Sequence, residues 1–308
     1  MILVTGASGL LGSKLVARAI EAGKQVTAVS HRYPFRVLGA DTRNLDLRDF
    51  GAARRLVESV RPSVIIHCAA ATNVDWCENN PDHAKRLNVQ VPVFLAQLAA
   101  GLGSQFLQVS TDSVFDGERG NYSESDAPGP LNVYAKTKLL AEQEVQRAYA
   151  SSLIARVTFY GWNLQKKQSL AEWILEGLSA GKKVPGFTDV YFCPILANDL
   201  AEILLAMIDR GLHGTYNAVG SERISKFDFA KRLALEFGLG ADQITPVSID
   251  NANLRATRPH DTSLVTERIG RELGRAMPDV QMGLQRFRQL RERECVATLQ
   301  SCCSEAKG

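Results

Sequence analysis

Short apolar runs without polar alternation, each followed by a segment with apolar residues at helical spacing, constrain this chain most. The runs occupy residues 2–5, 25–30, 64–68, 106–110 and 153–157, and the helical patterns 11–22, 50–60, 84–101 and 135–148. A strand that faces water on one side alternates polar with apolar residues. A strand apolar throughout is covered on both faces, the mark of a parallel sheet between helices. Strands alternating with helices give βαβ units with right-handed crossovers. Beyond about residue 160 the rhythm loosens. Residues 170–180 and 227–237 predict helices, 214–220 a strand between turns, and 199–208 a helix returning to the first domain.

The first run ends in Thr5-Gly6-Ala-Ser-Gly9-Leu10-Leu11-Gly12 and leads into a helix. Glycines between a strand and a helix supply a tight turn, close backbone approach to a pyrophosphate and close helix packing. The positive helix end then faces the phosphates. The expected fold is therefore α/β, a Rossmann-type doubly wound parallel sheet with helices on both faces and a smaller C-terminal α/β region. Residues 1–160 are expected to form the dinucleotide domain, with a returning segment at about 195–212. Residues 161–308 are expected to be mainly substrate-binding, with a flexible tail from about 295.

Composition excludes several classes. The chain has 308 residues, 45% of them hydrophobic and 22% charged, with a net charge of +3. That charge is small and scattered, so no nucleic-acid partner is expected. No apolar stretch reaches the ~20 residues that span a bilayer, and the start carries no cleavable leader pattern, so a cytoplasmic protein is expected. The six cysteines have no paired spacing or histidine partners of a metal site. Adjacent Cys302 and Cys303 read as incidental thiols in a polar tail.

The end of the second run decides cofactor choice. A site for NAD usually has an acid there for the ribose 2′-hydroxyl. Here the residues are Ser30, His31 and Arg32, with no acid until Asp41. A guanidinium holds a 2′-phosphate through parallel hydrogen bonds, so NADP(H) is expected, with NAD(H) the alternative. Ala69, Ala70 and Ala71 follow the fourth run, where small side chains let a cofactor pass close to the backbone.

Tyr134 and Lys138 fall one helical turn apart. An ammonium beside a phenol favours its ionised form, which readies a tyrosine with an ordinary pKa near ~10 for proton exchange. Together with Ser110-Thr111-Asp112 and the glycine-rich start, this arrangement resembles the extended short-chain dehydrogenase/reductase superfamily. The resemblance narrows to the dTDP-4-dehydrorhamnose reductase (RmlD-like) family across nearly the whole chain. Thr72-Asn-Val74-Asp75-Trp-Cys-Glu78 fits T-x-V-D-x-x-E, and Ser110-Thr-Asp-Ser-Val-Phe115-Asp-Gly117 fits S-T-D-x-V-F-x-G. Pro130-Leu-Asn-Val-Tyr134-Ala-Lys-Thr-Lys138 fits P-L-N-x-Y-G-K-T-K with Ala135 for glycine. Arg258-Pro-His-Asp-Thr262-Ser-Leu264 fits R-P-x-x-S-x-L with threonine for serine.

The resemblance implies a nicotinamide-dependent enzyme in which Tyr134 exchanges a proton with the substrate oxygen. Thr111 would hold that oxygen, and Lys138 would bind the nicotinamide ribose. It places Gly6, Gly9, Leu10, Leu11, Gly12, His31, Arg32, Asp46, Leu47 and Ala69–71 around the cofactor, with Asp46-Leu47 at the adenine. Asp75, Ser110, Asp112, Phe159 and Arg258 fall on the substrate side, Arg258 at the diphosphate of a nucleotide sugar. Departures concern the sugar: Ser113 stands where the family often has an aromatic, Phe159 where it has tryptophan, and His67-Cys68 where it has Asn-Ala. The expected function is NADPH-dependent reduction of a 4-keto nucleotide-linked deoxysugar, in a monomer or a homodimer. Two alternatives stay open. One is a noncatalytic NADP-binding subunit resembling the methionine adenosyltransferase beta subunit, the other a sugar-nucleotide epimerase. Dehydration is disfavoured because Ser113 stands where dehydratases have glutamate.

Overall fold

The computed structural model describes residues 1–252 and 254–292. The tail expected from about 295, with Cys295, Cys302 and Cys303, lies outside the described residues. In chain order the elements are β1 Ile2–Thr5, α1 Leu10–Glu21, β2 Val26–Ser30, β3 Ala40–Asn44, α2 Phe50–Val60 and β4 Val64–His67. Next come α3 Val74–Asn79, α4 Pro81–Lys85, α5 Val91–Leu102, β5 Gln105–Val109, α6 Val133–Ala148 and β6 Leu153–Arg156. They are followed by β7 Phe159–Tyr160, α7 Leu170–Ser179, β8 Val184–Phe187, β9 Tyr191–Phe192, β10 Ile195–Leu196 and α8 Ala197–Asp209. The last are β11 Gly214–Asn217, β12 Ile224–Ser225, α9 Lys226–Glu236, β13 Ile244–Val247, α10 Glu267–Leu273 and α11 Val280–Glu292.

Seven strands form one parallel sheet in the order β11-β6-β5-β4-β1-β2-β3. The runs without alternation are its interior: every residue of β1, β2, β4 and β6 is buried. One face is covered by Leu11, Leu15, Val16 and Ala19 of α1 with Leu200, Leu204 and Met207 of α8. The other is covered by Val57 of α2 and Val91, Leu95 and Ala99 of α5. β3 is the polar edge, with Asp41, Arg43 and Asn44 exposed, and such a strand resists pairing with another chain. The chain order reverses at β1, whose neighbours are β4 and β2. Ligands of doubly wound sheets enter the crevice at the carboxyl ends of the strands flanking such a point.

The helix expected over 84–101 is divided. α4 passes through a π-turn at Arg86–Gln90 into α5, whose second residue is Pro92. Proline has no N–H, and its ring crowds the carbonyl four residues back, so the backbone widens there. The returning helix is α8, and β11 after it extends the return into the main sheet.

The later segments build a second core from Ile174 and Leu178 of α7, Phe229 and Leu233 of α9, and Leu284 and Phe287 of α11. α7 begins in a capping box between Ser169 and Glu172. β8 pairs with β13 in parallel. Residues 256–265 then run back to the main sheet. Tyr191 N donates to His260 O at 2.7 Å, Asp261 N to Gly117 O at 3.1 Å, and Tyr122 N to Ser263 O at 2.9 Å. Among the described residues, no helix is long and apolar enough to cross a membrane.

Candidate active site at the strand switch point

The glycine loop turns at Gly6, whose φ of +66° favours glycine. A Cβ there would lie 2.7 Å from Ala69 N, and one on Gly12 would lie 2.2 Å from Gly6 O. These two glycines therefore let β1, β4 and α1 converge. A Cβ on Gly9 would meet only Gly6 O, at 3.1 Å. Gly9 caps α1 without a side chain, and no acid occupies the first turn. The first N–H groups of a helix have no partner within the helix, so this end fits a pyrophosphate, with Gly9 keeping the approach open. Leu10 is partly exposed, whereas Leu11 is buried in the core; only its backbone can serve a cofactor.

At the end of β2, His31 and Arg32 are exposed. The fold brings an acid to this end after all, because His31 Nε2 lies 3.8 Å from Asp46 Oδ2. Arg48 holds that carboxylate with Nη2 at 2.6 Å and Nε at 2.9 Å, and it lowers the carboxyl to about 2. Leu47, expected at the adenine, is buried among Val29, Ala53 and Val57, so its side chain belongs to the core. Ala69–71 are half-buried beside the glycine turn. Asn88, in the π-turn, fixes Ala71 through Ala71 N to Oδ1 at 2.8 Å and Nδ2 to Ala71 O at 3.1 Å.

Tyr134 lies in the first turn of α6, which starts at Asn132, whose side chain accepts from Ala135 N. Its phenol is hydrogen-bonded to Thr111, but burial outweighs that bond and pushes it up to about 12. The expected acidification by Lys138 is therefore not found in this geometry. Lys138 donates instead to Val109 O at 2.6 Å, and burial lowers its ammonium to about 8 against the pull of Glu142. Thr111 Oγ1 donates to Asp112 Oδ1 at 3.1 Å and accepts from Ser113 N at 3.3 Å.

Ser110 takes no part in a substrate wall. Successive side chains at a strand end point to opposite faces, and Ser110 turns inward to donate to Glu142 Oε1 at 2.5 Å. Asp112 is buried and also accepts from Ser113 Oγ at 3.2 Å and Thr262 Oγ1 at 2.8 Å. Burial pushes its carboxyl up despite these bonds, so it acts as a structural knot beside Thr111. Phe159, in β7, packs against the main core and is not brought to the Arg258 cleft.

Arg258 Nη2 lies 3.4 Å from Asp75 Oδ1, which also accepts from Ala256 N at 3.2 Å. Asn73 caps α3, and Asp75 in its first turn holds the 256–258 segment. Arg258 lines a cleft of about 590 Å³ with Asp116, Leu131, Leu254 and His260.

Several participants carry no sequence signal of their own. Glu142, one turn beyond Lys138, and Arg156 form an ion pair beneath the site. Gln165 reaches across to Ser8 O at 2.8 Å, and Lys167 to Thr72 Oγ1 at 2.7 Å. That segment spans the crevice between the loops after β1 and β4. Asn88 likewise stands in no motif. Pro92, inside the apolar helical run, is the sequence signal that could have located the π-turn holding Asn88.

Residues 1–292 match the family described as RmlD substrate binding domain. The chain belongs to this family. The chain is 32% identical over 282 residues to a protein of Haloferax volcanii named probable low-salt glycan biosynthesis reductase Agl14, covering 90% of this chain and 94% of that one. It is 30% identical over 277 residues to methionine adenosyltransferase 2 subunit beta of Bos taurus, covering 87% and 81%. The dTDP-4-dehydrorhamnose reductase of Bacillus anthracis, solved in complex with NADP, superposes with a TM-score of 0.83 at 26% identity, covering 94% of this chain and 98% of that one.

Proposed function

We propose that this RmlD-family chain is an NADP(H)-dependent reductase of the 4-keto group of a nucleotide-linked deoxysugar. The observation that carries it is the junction of Thr111, Tyr134 and Lys138 beside the strand switch point. The kinship with named reductases, one of them solved with NADP, supports the same reading. Residues 1–160, with the return at 195–212 and β11, serve as the cofactor domain, and the later residues serve mainly the substrate.

When bound, the dinucleotide supplies a hydride to the carbonyl carbon. Tyr134 Oη gives its proton to the carbonyl oxygen, which Thr111 Oγ1 orients by a hydrogen bond. A phenol held near 12 stays protonated at neutral pH, the form a reductase needs. Lys138, anchored on Val109 O, would hold the nicotinamide ribose. Gly9 and the α1 amino end receive the pyrophosphate, Arg32 the 2′-phosphate, and Arg258 the substrate diphosphate. The enzyme is cytoplasmic in this reading, and sedimentation tests whether it is a homodimer.

The test is single-turnover NADPH oxidation with dTDP-4-dehydro-6-deoxysugars, with products identified by mass spectrometry. The relative named as an adenosyltransferase subunit motivates a second reading, a noncatalytic NADP-binding subunit. Absence of turnover, combined with NADPH-dependent capture of a methionine adenosyltransferase, favours that second reading.

A further inference from the structure

Residues 161–169 join β7 to α7 as a loop closed at its neck, where Ser169 Oγ donates to Gly161 O at 2.8 Å. Its roots are fixed on the second core. Trp162 Nε1 donates to Phe287 O at 2.9 Å. Asn163 N donates to Glu172 Oε1 at 2.9 Å, the same glutamate that closes the capping box of α7. Inside the loop, the buried Asn163 donates from Nδ2 to Lys167 O at 2.5 Å and accepts from Gln165 N at 3.2 Å. A loop closed at the neck and packed on its own side chains is a structural unit, able to open without unfolding its surroundings.

The same loop reaches across to the cofactor domain. A Cβ on Gly161 would lie 3.3 Å from Leu10 Cδ1, which sets the neck beside the first turn of α1. Gln165 Nε2 donates to Ser8 O at 2.8 Å and lies 3.3 Å from Ser8 Oγ, within the glycine turn. Lys167 Nζ donates to Thr72 Oγ1 at 2.7 Å, next to Ala71 on the loop after β4. Ser8 and Thr72 stand on the loops after β1 and β4, the strands that flank the crevice where a dinucleotide enters. Leu164 adds an apolar contact with the main core. Gln165 is half-buried and Lys167 exposed, so both hydrogen bonds compete with water and each is weak singly.

We propose that residues 163–168 form a latch over the bound dinucleotide, closed by Gln165 on Ser8 and by Lys167 on Thr72. NADP(H) enters and leaves only when both hydrogen bonds open. The latch rests on the cofactor assignment and not on the sugar chemistry, so it serves a reductase and a noncatalytic NADP-binding subunit alike. It crosses the part of the cofactor that NADPH and NADH share, away from the 2′-phosphate assigned to Arg32.

The experiment is stopped-flow fluorescence of NADPH and NADH binding to the full chain, with no sugar nucleotide present. In the parent, the observed association rate is expected to level off as NADPH concentration rises, because opening of the latch precedes binding. In the double variant Gln165→Ala, Lys167→Met the rate is expected to stay proportional to concentration. NADPH and NADH should both leave that variant faster by about tenfold or more, the combined worth of two modest hydrogen bonds. Gln168→Ala is the control, since Gln168 donates to Glu176 of α7 and not to the cofactor domain; both rates should match the parent. An unchanged circular dichroism spectrum shows each variant folded. A parent rate that never levels off, or release of both cofactors from the double variant at the parent rate, overturns the proposal. Faster release of NADPH alone also overturns it, because the lost contact would then lie at the 2′-phosphate.

Discussion

Glu142 and Arg156 form a buried ion pair directly behind the end of β5, with Nη2 to Oε2 at 2.8 Å and Nε to both carboxylate oxygens at 3.2 Å. The same carboxylate receives Ser110 Oγ. Removing one member of such a pair strands the other charge in the interior. Glu142→Ala should cost about 3–5 kcal/mol in urea unfolding. Glu142→Leu combined with Arg156→Met should recover much of that loss. A single variant as stable as the parent would contradict the reading of this pair as buried and dry.

Tyr134→Phe retains the ring and removes the proton that Thr111 helps to orient. Single-turnover NADPH oxidation should fall by about 10²–10⁴-fold, the usual worth of a positioned general acid. Cofactor affinity, followed by NADPH fluorescence, should hold. Thr111→Val should cost less, because it removes an orienting hydrogen bond and leaves the acid in place.

Lys138 gives a pH dependence of defined sign. Burial holds it at about 8 in the folded chain, below the ordinary lysine value of 10.5, so the unfolded chain keeps the proton longer. Below pH 8 both states are charged, and the burial penalty is fully present. Between about 8 and 10.5 the unfolded state binds more protons, and stability rises with pH. Lys138→Met removes that penalty. It should be as stable as the parent or more so at pH 7, by on the order of 1–3 kcal/mol, with the difference closing toward pH 10.5. Turnover by the variant should be poor at every pH. In the parent, kcat/KM for reduction should fall above about pH 8 as the ammonium is lost, well before Tyr134 titrates.

Arg258→Ala should raise KM for a sugar nucleotide by about tenfold or more with little change in kcat, since a ground-state contact is lost equally from the transition state. NADPH affinity should not move. Loss of folding or of cofactor binding would mean that the Asp75–Arg258 contact is purely architectural.

Arg32→Ala should narrow the preference for NADPH over NADH by one to two decades, the worth of a charge-assisted phosphate contact of about 1.5–3 kcal/mol. Dissociation constants for both cofactors measure it directly. Equal constants in the parent would assign the ribose end to Asp46 and His31 instead.

The sheet was legible because apolar runs buried on both faces have few other solutions, and the glycines because backbone convergence at Gly6 and Gly12 tolerates no side chain. Tyr134 and Lys138 were legible because helical spacing puts them on one face. Which way a side chain points at a strand end was not. Ser110 and Thr111 are neighbours in sequence, yet one faces Glu142 and the other Tyr134. Leu11 and Leu47 sit in cofactor motifs while their side chains fill the core. Asp46 reaches His31, and Tyr191 reaches the Arg258 segment, only through tertiary pairing. Spacing along the chain carries no record of such partners.

The hydrogen bond from Thr262 to Asp112 joins residues 150 positions apart. The turns that make the crevice between β1 and β4 are complete by Ala71. On a ribosome these parts emerge at very different times, and closing so long a loop is slow compared with local pairing. The nascent chain thus carries every residue of its glycine turn long before it carries the third donor to Asp112. A translation product ending short of Thr262 would keep the phosphate-facing turn but leave that buried carboxylate one hydrogen bond short beside Thr111.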